Sequence, residues 1–514
     1  MSLRFAPDTS GAWNEMFSAP GEPRALYERL VSDLQGFSLS ELRARADALQ
    51  RTFIDRGVTF AHSGEERPFP LDLVPRIIGS LEWERLSQGV AQRVRALEAF
   101  LEDVYGHGRA FDDGVIPRSL VTTSPHYLRA AVGVRASNGV RVVVSGIDLV
   151  RDETGNFRVL EDNLRTPSGV SYVIENRRAM TQHFSALFSD HRVHPVDSYP
   201  ARLYAALRAA APARVTDPTV VVLTPGVHNP AYFEHVVLAR LMGVELVEGR
   251  DLVCRANRVF MRTTAGERPV HVIYRRLDDD WLDPLQCRPD SIIGVAGLVN
   301  AARAGHVTLA NALGNGVADD KVVYTYVPDF IRYYLGEKPV LDNVDTWRLF
   351  EPDVVKDVVG SLEEFVIKPV DGSGGKGIVI GPRASREEIE ATRRAVLANP
   401  RGFIAQRPVA LSTLPTLVGE TIAPRHVDLR PFAVNDGREV WVLPGGLTRV
   451  ALGEGELIVN SSRGGGSKDT WVLSDEPANF GQAHVPRSVR SAKVSRLDTA
   501  PRQNDEMAPT AGEQ

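Results

Sequence analysis

Glu364–Gly381 reads EFVIKPVDGSGGKGIVIG, a glycine loop slung between two β-branched runs. Backbone N–H groups approach an anion closely only where no Cβ intervenes, so Gly372, Gly374, Gly375 and Gly377 suit a flap laid over phosphates. A phosphate loop that leads from a strand into a helix needs G-x-x-x-x-G-K-[ST]. Here Lys376 is followed by Gly377 and then by Ile378-Val379-Ile380, a second strand, so the loop joins a hairpin. A protein-kinase glycine loop is also a hairpin, but it needs downstream H-R-D and D-F-G motifs, and neither occurs in this chain.

The 514 residues exceed what one core usually supports and predict about three domains. A hydrophobic fraction of 43% allows large cores. A net charge of −5 leaves no basic footprint, which argues against nucleic acid as a partner. Cys254 and Cys287 are too few for a disulfide framework and read as ordinary thiols. The amino terminus lacks a charged leader before an apolar core, and no run reaches the roughly 18 apolar residues of a membrane span. The expectation is a cytoplasmic protein with no membrane partner.

Along the chain, Pro23 to about Tyr105 reads as helical. Leu42, Ala46, Leu49 and Phe53 share one face, Ser38 and Glu41 form a capping box, and Leu86, Val90, Val94, Leu97, Leu101 and Tyr105 form a second stripe. Val140–Ser145 and Phe157–Glu161 read as strands, and Asn176–Ser189 as a helix. From Pro218 the order strand, helix, strand predicts a small parallel sheet with crossover helices. Arg386–Asn399 reads as a helix capped by Ser385 and Glu388, followed by the strand FIAQRPV. Beyond Asn479 the polar, aperiodic residues have the composition of a disordered tail.

In RVLEDNLRTPSG, Glu161 and Asn163 lie two apart on a strand and point the same way. A carboxylate and an amide oxygen side by side suit a hard cation such as Mg²⁺. The competing reading is a solvated strand end. His191 and His194 are three apart, but Pro195 and the lack of further ligands argue for exposed turn histidines rather than a metal site.

Together these pieces resemble the ATP-grasp family, specifically its circularly permuted members related to eukaryotic glutathione synthetase and glutathionylspermidine synthase. The order of motifs carries the match: Glu161-Asp162-Asn163, Lys321 in NGVADDKVVY, Lys368-Pro369-Val370-Asp371-Gly372-Ser373-Gly374-Gly375, then Gln406-Arg407-Pro408-Val409. RPFPLDLVPRII (Arg67–Ile78), VDLRPFAV (Val427–Val434), LPGGLTRVA (Leu443–Ala451) and NSSRGGGSKDTWVL (Asn460–Leu473) are similar to a bacterial group of the same kind. The resemblance spans roughly residues 65 to 475.

The resemblance implies an α/β (α+β) fold, a circularly permuted ATP-grasp fold with a helical N-terminal region (1–120) and an inserted Rossmann-like pre-ATP-grasp α/β unit (217–312). The ATP-grasp domain would take 121–216 and 313–478, and the tail 479–514. ATP and Mg²⁺ are the implied cofactors. Lys321 and Lys368 would contact adenine and phosphates, Gly372, Ser373, Gly374, Gly375 and Lys376 would cover them, and Gln406, Arg407 and Val409 would face adenine. Glu161, Asn163, Asp371 and Asp428 are the implied metal ligands, although Asp371 also reads as a turn former and Asp428 with Arg430 as a structural ion pair.

Arg430, Arg449 and Lys368 would serve catalysis, and Arg275, Arg276, Arg463 and Lys468 would bind substrate. A salt-bridged surface corner is the other reading of Arg275 and Arg276. The implied reaction joins a small-molecule or peptide carboxylate to an amine acceptor through an acylphosphate. The alternative is an ATP-binding protein that has lost ligation and serves a protein partner; a phosphotransferase differs from the ligase only in its acceptor.

Overall fold

The structure, a computed structural model, describes residues 5–62, 65–372, 375–457, 459 and 465–474. Ser373, Gly374, Arg463 and the tail beyond Asn479 lie outside the described residues. In chain order the elements that position the site are α1 (Leu39–Asp55), β1 (Leu71–Ile78), α2 (Ser80–Val104), β2 (Val144–Arg151), β3 (Phe157–Asn163), α3 (Val170–His183), β4 (Val220–Leu223), α4 (Tyr232–Met242), β5 (Glu245–Val247), β6 (Val272–Arg275) and β7 (Thr308–Ala310). There follow α5 (Lys321–Tyr324), β8 (Thr346–Arg348), β9 (Val366–Pro369), β10 (Val379–Ile380), α6 (Arg386–Ala398), β11 (Phe403–Gln406), β12 (Phe432–Asn435), β13 (Val440–Val442), β14 (Thr448–Val450) and β15 (Gly466–Val472).

The helical stretch expected over Pro23–Tyr105 is interrupted by β1. Prolines at 68, 70 and 75 deny a helix its N–H donors, and the β-strand pairs in parallel with β15, which in turn pairs antiparallel with β14. On either side the helices are as expected. Ser38 and Glu41 complete the capping box of α1, and the apolar stripe of α2 is buried from Leu86 to Leu101.

The strand expected at Val140–Ser145 begins instead at Val144, and the helix expected at Asn176 begins at Val170. β2 lies at the middle of a five-stranded sheet between β3 and β12, with β13 at one edge and Asp342–Asn343 at the other. The β4, β5, β6 and β7 strands form a parallel sheet in the order β7-β6-β4-β5, as the alternation of strand and helix predicts. A three-stranded antiparallel sheet, Leu252–Val270, accompanies it and was not read from the sequence. A further antiparallel sheet in the order β8-β11-β9-β10 carries the glycine loop.

β9 and β10 pair antiparallel, Val366 with Ile380 and Ile367 with Val379, which makes the glycine stretch a hairpin. Gly375 and Gly377 take φ of +76° and +71°, a region closed to most side chains, and a Cβ at Gly377 would lie 2.9 Å from the Pro369 ring. Among the described residues, no helix is long and apolar enough to cross a membrane. Cys254 and Cys287 are half-buried free thiols. His191 is buried against Trp471 and bonds the Leu187 carbonyl, so it is not the exposed turn histidine expected.

Candidate active site

A cavity of about 470 Å³ is lined by Glu161, Asn163, Lys321, Lys368, the hairpin residues Asp371, Gly372, Gly375 and Lys376, the segment Gln406–Val409, and Asp428, Arg430 and Arg449. The central sheet, the glycine-hairpin sheet and β14 all present side chains to it. Asp148, Arg165, His126 and Asp319 line it as well, and none of them was assigned a role from sequence.

β3 sets out the acidic wall. Alternation sends Asp162 to the far side, where the buried Arg93 of α2 donates to it, and leaves Glu161 and Asn163 facing the cavity. In the antiparallel register Asp148 of β2 stands opposite Glu161, and Gly146 opposite Asn163. Asp148 thereby reaches the cavity beside them, and Asn163 Nδ2 lies 3.5 Å from its Oδ1. The signal for Asp148 was its strand pairing, which a bulge after Asp148 offsets by a residue.

Two arginines hold Asp148. Arg430 donates to it from Nε and, at 2.7 Å, from Nη2, and Arg449 donates from Nη2 at 2.7 Å. Burial works to raise the Asp148 carboxyl, but these guanidinium groups outweigh it and hold the group below the usual carboxylate range. Asp428 is committed elsewhere. Arg449 Nε lies 2.9 Å from Oδ2 and 3.1 Å from Oδ1, and burial raises the Asp428 carboxyl. Asp428 therefore orients Arg449 and is not available as the metal ligand expected.

Glu161, half-buried, has Lys321 Nζ at 3.7 Å and Arg430 Nη2 at 3.9 Å. Lys321 also donates to the Gly372 carbonyl at 2.6 Å, and its backbone N–H to Val370 at 3.2 Å, which ties α5 to the root of the glycine hairpin. Lys368, the third residue of β9, lines the cavity with no hydrogen-bond or ion-pair partner among the described residues. Burial lowers it to about 8, with Glu161 opposing and Lys321 adding to the effect. Asp371 and Lys376 are exposed on the rim.

Apolar walls close the other side. Val366, Ile378, Ile380 and Leu411 flank the segment where the chain leaves β11. Gln406 is buried and donates to Thr346 at 2.9 Å, whereas Arg407 is exposed, its guanidinium 5.8 Å from the Trp347 and Phe365 rings. Pro408 has no N–H to offer, so backbone donation here falls to Arg407 and Val409. The slot suits a flat heterocycle stacked between aliphatic side chains and read by backbone groups.

Three expected substrate ligands are structural. Lys468 is fully buried in β15, where it pairs with Asp72 and donates to Pro415 at 2.9 Å. Arg275 donates to the Asn311, Leu277 and Ala312 carbonyls and pairs with Asp279 at 2.7 Å. Arg276 reaches Pro167 at 2.8 Å and Glu234 at 3.1 Å, steadying the loop before α3 from behind. None of the three lines the cavity. Their charge was legible in the sequence, but their burial was not.

Among the described residues no group of three or more His, Cys, Asp or Glu side chains is gathered for a metal. Glu161 and Asn163 nonetheless supply a one-sided pair of hard oxygens, which fits a magnesium ion that keeps phosphate oxygens as its remaining ligands, while Asp148 behind them is taken up by its arginines. The arrangement can hold a triphosphate between two lysines and a glycine flap, with two arginines aimed at the same space.

A family model for circularly permuted ATP-grasp type 2 proteins matches residues 75–451. An uncharacterized protein of Mycobacterium tuberculosis is 61% identical over 482 residues, covering 93% of this chain and 88% of its own. An uncharacterized protein of Synechocystis is 48% identical over 470 residues, 91% of this chain and 98% of its own. A Frankia casuarinae protein named "Putative glutamate--cysteine ligase 2-2" is 47% identical over 464 residues, which cover 90% of this chain and 53% of that protein. Among solved structures, a glutathione synthetase like-effector from Globodera pallida in apo form overlays with a TM-score of 0.54 at 11% identity, covering 85% of this chain and 98% of that one. This last likeness is one of fold. The chain belongs to the circularly permuted ATP-grasp type 2 family.

Proposed function

We propose that the chain is an ATP-dependent ligase that joins a carboxylate to an amine, with an acylphosphate as intermediate. One observation carries this reading: Glu161, Asn163 and Asp148 share a single cavity with Lys321, Lys368, the glycine hairpin, and Arg430 and Arg449. Phosphoryl transfer needs placement and charge neutralisation rather than covalent chemistry by the protein, and this set provides both. Membership of the family supports ATP as co-substrate, and the name of the Frankia relative supports the carboxylate–amine class.

Glu161 and Asn163 would hold Mg²⁺, which would neutralise triphosphate charge, and Asp148 would position Arg430 and Arg449 beside them. Lys321 and Lys368 bind the phosphates from the hairpin side, and the hairpin shields the reacting centre from water. Arg430 and Arg449, their Nε–Nη2 edges held by Asp148 and Asp428, would face the carboxylate that attacks the γ-phosphate with their remaining N–H groups and their charge. An amine then displaces phosphate to form the amide. The test is ADP release from Mg-ATP across pools of amino acids, short peptides and polyamines, in wild type and in Lys368→Ala. ADP release that requires both carboxylate and amine, and is lost in the variant, is the expected result. Nucleotide binding without stimulated turnover would replace the ligase by an ATP-binding regulatory protein.

A further inference from the structure

On the ligase reading, the amine reaches the acyl carbon as a protonated ammonium that must lose a proton, and no residue so far described takes it. Lys321, Lys368, Arg430 and Arg449 are cations, Asp148 and Asp428 are occupied by arginines, Glu161 faces Lys321 and Arg430, and Asp319 accepts the Leu164 N–H at 2.7 Å with Arg165 at 3.7 Å. The cavity has a second wall, formed by His126, Arg165, Asp278 and Asp319.

His126 is half-buried there, and its ring nitrogens hydrogen-bond to nothing among the described residues. Its position is fixed from both sides. Ser124 Oγ donates to Asp320 at 2.7 Å, and Asp320 caps α5, the helix that begins with Lys321. On the other side Tyr127 stacks on Tyr105, the ring planes 4° apart and the centroids 5.3 Å apart. Gly316 leaves room for the ring: a Cβ there would stand 3.2 Å from His126 Cβ and 3.3 Å from Arg165 Cδ. A free imidazole is thus built onto the same helix start that delivers a phosphate-binding lysine.

We propose that His126 is the general base of the amide-forming step. A ring nitrogen takes the proton of the incoming amine. The amine lone pair forms the C–N bond, the acyl C–O bond to phosphate breaks, and phosphate leaves with that electron pair and takes up the second N–H proton shed by the new amide nitrogen. The imidazolium then returns its proton to solvent. Burial, and next Arg165, lower the His126 imidazole from its usual value, while Asp320, Asp279 and Asp371 act in the opposite sense. The ring is therefore neutral and able to accept a proton at neutral pH.

The experiment compares wild type with His126→Gln, using Mg-ATP, the carboxylate and amine selected by the pool screen, and hydroxylamine as a second nucleophile. Hydroxylamine is weakly basic and arrives unprotonated, so it bypasses the base. Amide formation should fall about 100-fold in the variant while hydroxamate formation stays within about threefold of wild type. Hydroxamate formation also proves that the variant is folded and makes the activated acyl group. The acidic limb that the imidazole gives the wild-type amide rate should be replaced in the variant by one set by the amine's own deprotonation, at higher pH. Amide formation within about threefold of wild type, or amide and hydroxamate falling together, overturns the role of His126. A wild type that releases no ADP with any carboxylate overturns the ligase reading itself, and this role with it.

Discussion

Asp148 and Glu161 face each other across two strands yet have opposite relations to solvent, and their variants should separate accordingly. Glu161 is half-buried and loosely paired, so Glu161→Gln should abolish Mg-ATP turnover while changing stability by no more than about 0.5 kcal/mol. Asp148 is buried under two guanidinium groups, and Asp148→Asn leaves both undercompensated, at a cost of about 3 kcal/mol as well as activity. Chemical denaturation beside an ADP assay tests the pair; equal stability losses would remove the structural distinction.

Lys368 yields a pH prediction with a definite sign. Its ammonium is charged below about 8 in the free protein, so ATP affinity should weaken as pH rises through that value. Lys368→Arg, always charged, should bind ATP with no such decline. Calorimetric titration between pH 7 and 9 measures the slope directly. At this scale the sequence was half legible. Glu161, Asn163 and the lysines sit in recognisable strings, whereas Asp148 enters through strand pairing and His126 through a loop with no signature of its own. Lys468 and Arg275 misled because a charged residue carries no mark of its burial.

Elements whose rules are local were read well. The capping boxes at Ser38 and Ser385, the α2 stripe and the glycine hairpin follow from residues close in the chain, and the parallel sheet from a regular alternation of strand and helix. β1 was missed because its partner β15 lies nearly 400 positions away. Two variants probe such long-range packing. Gly89 in α2 lies so close to Leu341 that a Cβ would come within 2.4 Å of its side chain, so Gly89→Ala should cost about 1–3 kcal/mol by overpacking. Lys468→Met leaves Asp72 buried without its cation and should cost about 3–5 kcal/mol. Urea midpoints decide both, and unchanged midpoints would mean that these contacts are not needed for stability.

At the scale of the whole molecule, the cavity draws on residues from Phe60 to Val459, brought together by sheets of different connectivity. A likeness in motif order could locate these residues because the family fold supplies the missing distances; spacing alone could not. The β1–β15 pair also sets a timetable. The ribosome makes β1 early and β15 about 395 positions later, an interval of roughly 20–80 s at ordinary translation speeds. Throughout it Asp72 lacks its lysine and the apolar edge of β1 lacks its neighbour. A nascent chain therefore cannot complete this sheet, or the cavity wall that β14 presents from it, before β15 has been made.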